Sequence, residues 1–111
     1  MGLTKTDAYT PAQNELALIL KALAHPARLA ILQQLFKVDC CVGKDFTAEM
    51  PLAQPTISRH LRELKEAGLI LGTVEGVSVS YCINAPRWRE VQVLVNELFN
   101  AFPRDPRADC C

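Results

Sequence analysis

The sequence predicts a mainly α fold with a small β-hairpin, an α+β arrangement in one domain. Three observations predict it. Apolar residues recur every three or four positions over most of the chain, the period of helices with one buried face. After Gly68 that period switches to strict alternation, the pattern of strands. Two short helical stretches joined by a tight turn at residues 51–53 come directly before the alternating segment. Helix, turn, helix and hairpin in that order describe a winged helix-turn-helix, in which the hairpin is the wing.

The chain of 111 residues is long enough for one domain with one modest core. Residues 1–9 are polar and read as a flexible N-terminus. The folded domain spans residues 10–102. Residues 103–111 read as a flexible tail that closes on two cysteines. Half of the chain is hydrophobic, which argues for a folded protein. It has neither an apolar run of membrane-spanning length nor the basic and apolar regions of a signal peptide, so a cytoplasmic protein is expected. Twelve basic residues balance twelve acidic ones. Such a chain does not coat nucleic acid by charge alone, and any DNA contact has to be local.

Thr10-Pro11-Ala12-Gln13 is a helix start: a capping Thr, Pro at the first position and Gln three residues after the cap. Leu16, Ile19, Leu20 and Leu23 continue that helix to about Ala24. His25-Pro26 breaks it and opens a second helix, PARLAILQQLF, expected to turn Leu29, Leu32, Leu35 and Phe36 inward. Lys37 to Val42 reads as a connector. Lys44 to Met50 reads as a short helix with Phe46 and Met50 on one side, and Pro51 to Ala53 as the turn.

The next stretch, QPTISRHLRELKEAGLI, organises the rest. Ile57, Leu61 and Leu64 share one helical face. Pro55 suits a first turn and Gly68 a left-handed cap. The opposite face carries Thr56, Ser58, Arg59, Arg62 and Glu63. Such a face meets water or enters the major groove, where Ser and Thr reach phosphates or base edges and Arg binds guanine or phosphate. Ile70 to Glu75 is then the first strand, Glu75-Gly76 the turn, and Val77 to Ile83 the second strand. Asn84-Ala85-Pro86 starts a last helix bearing Trp88, Val91, Val95, Leu98, Phe99 and Phe102, and Pro103 ends it. The first and last helices are more apolar than so small a core needs, so they read as a dimer seam; the alternative is that they only cap the monomer.

The stretches LKALAHPARLAILQQL, QPTISRHLRELKEAGLI and TVEGVSVSYCIN resemble, in order, the arsenical-resistance repressor (ArsR/SmtB) family over roughly residues 15–100. The resemblance implies a dimeric winged-helix repressor that leaves operator DNA when an inducer binds. Family inducers include metal ions, arsenite or antimonite, and oxidants or reactive sulfur. Gln54, Thr56, Ser58, Arg59 and His60 match the family's DNA-reading segment, and Pro55 and Arg62 complete the expected DNA-binding set. His60 lies at the edge of the apolar stripe, so a buried imidazole is the alternative there. Family wings carry Arg or Lys near the tip, whereas here the tip is Glu75-Gly76-Val77-Ser78, without a cation.

The family's zinc site on the last helix needs His, and the only two in the chain are His25 and His60. Its Cys-x-Cys site is also altered, since Cys40 and Cys41 are adjacent. Thiolates favour soft, thiophilic ions. Trivalent arsenic and antimony take three, and Cys110 and Cys111 with Cys40 or Cys41 would supply them. As(III) or Sb(III) is therefore the expected inducer, and no cofactor is needed for folding. A thiol-based redox or reactive-sulfur sensor of the same fold is the alternative. Packing is the plain alternative for Cys40 or Cys41, and for Cys82 among the serines of its strand. No Cys-x-x-Cys, Ser/His/Asp or paired-carboxylate arrangement suggests an enzyme.

Overall fold

A computed structural model describes residues 5–38, 42–43 and 50–103. After a short 3-10 turn at Lys5–Ala8 come α1 (Pro11–Leu23), α2 (Pro26–Phe36), β1 (Val42–Gly43), α3 (Gln54–Glu66), β2 (Ile70–Glu75), β3 (Ser78–Ile83) and α4 (Ala85–Asn100). This mainly helical chain with an antiparallel hairpin is the expected winged helix-turn-helix. The short helix expected over Lys44 to Met50 lies outside the described residues except for Met50, which packs against the core.

Local chemistry sets the element ends. The Thr10 hydroxyl accepts from the Gln13 N–H at 3.1 Å, and the Gln13 side chain accepts from the Thr10 N–H at 3.0 Å, a complete capping box. His25 caps α2, its Nδ1 accepting from the Ala27 N–H at 3.0 Å. At the end of α3, Gly68 takes φ +81°. The Leu69 N–H then donates to the Leu64 carbonyl and the Gly68 N–H to the Lys65 carbonyl. Those two bonds form a Schellman motif, and buried Leu69 supplies its apolar contact beside Leu64.

One core joins the helices to the sheet. Ile19, Ala22, Ile31, Leu32, Leu35, Ile57, Leu61, Leu64, Leu69, Ile70 and Val91 form it. On α2 the inward face differs from the expected one: Ala27, Ile31, Leu32 and Leu35 are buried, while Leu29 and Phe36 are exposed. PARLAILQQLF is apolar around much of its circumference, so spacing alone could not orient it. Phe36 instead packs edge-to-face with Trp88, with ring centroids 5.2 Å apart.

The hairpin pairs Ile70 with Ile83 through Glu75 with Ser78. Its turn is therefore Gly76-Val77, one residue later than expected, and Val77 belongs to the loop rather than to the strand. Gly76 at φ +64° explains the shift, because a two-residue hairpin loop favours Gly with positive φ at its first position. The expected connector also holds a strand: β1 pairs with β3, Val42 opposite Tyr81 and Gly43 opposite Ser80. The sheet order is β1-β3-β2. Two residues are too few for alternation to reveal a strand.

Asn84 fastens α4 to the end of α3. Its side-chain N–H donates to the Gly68 carbonyl at 2.9 Å, and the Trp88 indole N–H donates to the Leu69 carbonyl at 3.1 Å. Arg87 joins α4 to α1 through Glu15 at 2.6 Å and also contacts Glu90 at 3.3 Å. Its pKa is raised above the ordinary Arg value, first by the hydrogen bond to Glu15. No helix among the described residues is long and apolar enough to cross a membrane.

Candidate nucleic-acid interface

α3 is seated by Ile57, Leu61 and Leu64, all of them essentially inaccessible to water. The rest of its surface follows from helical phase. Gln54, Pro55, Arg59, Arg62, Glu63, Lys65 and Glu66 are exposed, and Thr56 and Ser58 are half-buried. Six of the seven residues expected to meet DNA thus keep surface exposed on one helix, five of them in its first two turns.

His60, the seventh, is turned inward at 4% exposure. Of the two roles the sequence left open for it, the geometry supports the buried imidazole. Arg28 Nε donates to His60 Nδ1 at 3.2 Å, and Arg28 Nη1 donates to the carbonyls of Ala22 at 3.2 Å and Lys21 at 3.4 Å. One guanidinium therefore links the end of α1 to the middle of α3. The His25 ring lies beside His60, centroids 4.2 Å apart. Burial lowers the His60 pKa from its ordinary 6.5; the charges of His25, Arg28 and Arg59 lower it further, and Glu63 works against them. A neutral imidazole accepting at Nδ1 carries its proton on Nε2.

The charges of α3 divide by side. Glu63 and Glu66 line a cavity of about 700 Å³ against α1, shared with His25, Arg28 and Arg87. Ser58, Arg62 and Lys65 line a smaller cleft of about 290 Å³ against the wing, closed by Leu61 and Tyr81. At the wing tip, Val74 and Val77 are exposed.

The comparisons with known proteins fit this geometry. A family model described as "Bacterial regulatory protein, arsR family" matches residues 25–71, from the cap of α2 into β2. The biofilm growth-associated repressor of Agrobacterium fabrum is 39% identical over 81 residues, covering 73% of this chain and 68% of that protein. The chain belongs to the arsR family. An uncharacterized HTH-type transcriptional regulator of Methanocaldococcus jannaschii is 42% identical over 81 residues, covering 72% of this chain and 90% of its own length. A crystal structure of an ArsR family transcriptional regulator superposes with a TM-score of 0.69 over 85% of this chain and 96% of its own; at 22% identity it supports the fold alone. This ArsR-family chain is thus a DNA-binding transcriptional regulator, and its relatives are regulators rather than enzymes.

The expected sensor residues Cys40, Cys41, Cys110 and Cys111 all lie outside the described residues. Cys82 is half-buried in β3 opposite Leu71. Among the described residues no group of three His, Cys, Asp or Glu side chains is placed to hold a metal ion. The structure also adds residues that sequence reasoning missed. Arg28 bonds an imidazole 32 positions away, which no local pattern announces. Lys65 and Tyr81 meet only because the wing folds back beside α3; Lys65 was legible as one more cation on that helix, but Tyr81 was not.

Proposed function

We propose that this ArsR-family chain is a homodimeric transcriptional repressor that a thiophilic inducer releases from its operator. The observation that carries the DNA reading is α3 itself. Its inner face is locked into the core, while Gln54, Thr56, Ser58, Arg59 and Arg62 occupy its accessible surface. A rigid helix with short polar groups and arginines on its free side suits readout of a major groove. His60 serves instead to seat the helix.

Exposed apolar side chains support the dimer. Leu18 on α1 and Val93, Leu98 and Phe99 on α4 are all near or above half exposure, and Phe102 follows just beyond. A two-fold pairing of these helices would present two copies of α3 to successive half-sites, about 34 Å apart on DNA. The inducer reading rests on the sequence: the adjacent pairs Cys40-Cys41 and Cys110-Cys111 offer thiolates suited to As(III) or Sb(III). An ion that tied the tail to the segment near Cys40 would shift α3 relative to the seam. A coupling of about 1–3 kcal/mol is typical of such linkage.

The test is fluorescence anisotropy of the reduced protein on its own upstream DNA, titrated with arsenite without oxygen. The expected result is release at near-stoichiometric arsenite, abolished in a Cys110→Ser, Cys111→Ser variant. Release by an oxidant or polysulfide and not by arsenite would replace the inducer. No binding to any duplex would overturn the reading.

A further inference from the structure

The cleft between α3 and the wing joins Ser58 and Arg62, already expected to meet DNA, to Lys65 and Tyr81, which neither the family match nor the sequence motif assigns. Ser58, Arg62 and Lys65 recur at i, i+4 and i+7, so they form one stripe along the side of α3. Tyr81 of β3 faces them, and Leu61 forms the apolar floor. Among the described residues no carboxylate lines this cleft; Glu63 and Glu66 lie in the cavity on the other flank. The charges of α3 itself thus divide into Arg62 and Lys65 on the wing side and Glu63 and Glu66 on the α1 side, where Lys21, Arg28 and Arg87 line the same cavity.

Gly72 makes the arrangement possible. It lies opposite Tyr81 in the hairpin register. A Cβ built on Gly72 would sit 3.4 Å from Lys65 Cδ, from Lys65 Nζ and from Tyr81 Cε1. The end of the Lys65 side chain, ammonium included, therefore lies over bare backbone beside the aromatic ring. A larger residue at 72 would crowd that path. Among the described residues, neither Arg62 nor Lys65 forms an ion pair with a carboxylate.

We propose that this cleft, built by Ser58, Arg62, Lys65 and Tyr81, seats a phosphate of the operator backbone. The assignment rests on the reading that α3 enters the major groove. When a helix lies in that groove with a hairpin at its side, the backbone strand bordering the groove runs along the line between helix and hairpin. In this chain that line is the cleft. Two hydroxyls, a guanidinium and an ammonium are donors suited to phosphate oxygens. The wing tip Gly76-Val77-Ser78 offers no cation, so the hold on the backbone moves from the tip of the wing to its base.

A phosphate contact has a signature that a structural role lacks: it acts on every sequence alike and carries a fixed share of the salt dependence. The experiment measures anisotropy of wild type, Lys65→Met, Lys65→Arg and Tyr81→Phe on operator and unrelated duplexes across a salt series. Lys65→Met should weaken both duplexes by the same factor. It should also flatten the plot of log affinity against log salt by about 0.9 for each seat lost, equivalent to about 3.5-fold over a fourfold rise in salt. Lys65→Arg should restore the slope. Tyr81→Phe should weaken both duplexes while leaving the slope in place, because it removes a neutral donor.

Replacing single operator phosphates with neutral methylphosphonates should find one position per half-site where wild type loses affinity and Lys65→Met does not. An unchanged slope in Lys65→Met, with wild type still binding, would overturn the seat and leave α3 as the reading helix. Loss confined to the operator would also overturn it, since that is the mark of a base contact. If wild type binds neither duplex, the DNA reading of α3 fails and the seat fails with it.

Discussion

α3 and α4 are both amphipathic helices in sequence, yet the fold treats them differently. α3 has 13 residues and buries Ile57, Leu61 and Leu64 almost completely, with His60 beside them. α4 has 16 residues and buries only Val91 to that degree. Trp88, Leu94 and Val95 pack partly, and Phe99 is left 68% exposed. Among the described residues the apolar face of α3 is completed, and that of α4 is not. The contrast fits the proposed roles: a helix that reads DNA has to be fixed by its own subunit, whereas a helix that joined subunits would keep apolar surface in reserve.

The sharpest way to break this contrast is to truncate both faces. Leu61→Ala removes a side chain that is 1% exposed, and about 2–5 kcal/mol of stability should go with it. Phe99→Ala removes a larger side chain from an exposed position and should leave the stability of the isolated subunit nearly unchanged. Urea unfolding at low protein concentration measures both. Equal losses would mean that α4 is already packed within the monomer.

Phe99→Ala should act instead on association. A buried aromatic at the centre of an interface is worth about 2 kcal/mol or more, over tenfold in dissociation constant. Sedimentation equilibrium should find the variant dissociating at concentrations where wild type is dimeric, and its operator affinity should fall in step. A variant with an unchanged dissociation constant would remove α4 from the seam.

Arg28 tests whether the two regions are connected. It reaches from the carbonyl end of α1, whose outer side carries exposed Leu18, to the His60 imidazole on α3. Arg28→Met keeps the apolar stem and leaves His60 Nδ1 without that donor, at a cost of about 1–3 kcal/mol. If α3 is aimed through this link, the folded variant should also lose operator affinity relative to unrelated DNA. Lost stability with unchanged discrimination would reduce Arg28 to a packing residue.

The same contrast explains what the sequence made legible. Helices with strong one-sided periodicity could be located and faced: Ile57, Leu61 and Leu64 point inward as their spacing requires. The capping box at Thr10 and the left-handed Gly68 were readable because each rests on chemistry within a few residues. α2 could be located but not oriented, since Leu29, Ile31, Leu32 and Phe36 leave no single apolar stripe. β1 was hidden by its length, and the hairpin turn slipped by one residue because alternation does not mark where pairing stops. The exposed polar face of α3 was legible as a candidate site, whereas the partners of its flanks were not. Arg28 with His60, and Lys65 with Tyr81, are juxtapositions of distant segments, and a one-dimensional pattern carries no distance between segments.

The smallest expected effect concerns the buried imidazole, and it separates the α1 flank of α3 from the wing flank. In the folded chain the His60 pKa lies below 6.5, first through burial and then through the charges of His25, Arg28 and Arg59, with Glu63 opposing. In the unfolded chain it returns to its ordinary value. Above that value both states hold neutral imidazole, and the fold keeps its full stability from this group. As pH falls below it, the unfolded chain takes up a proton that the folded chain refuses, so stability declines until the lowered folded pKa is reached. Protonation at Nδ1 would also turn the acceptor of the Arg28 bond into a donor facing a guanidinium. His60→Asn keeps a side-chain acceptor and removes the titration. Its urea midpoint should therefore fall less than that of wild type between neutral pH and about one unit below the ordinary imidazole value. Lys65→Met, on the other flank, should keep the wild-type decline. Equal declines in wild type and His60→Asn would mean that His60 takes up its proton as readily in the folded as in the unfolded chain, and would assign the acid sensitivity to other groups.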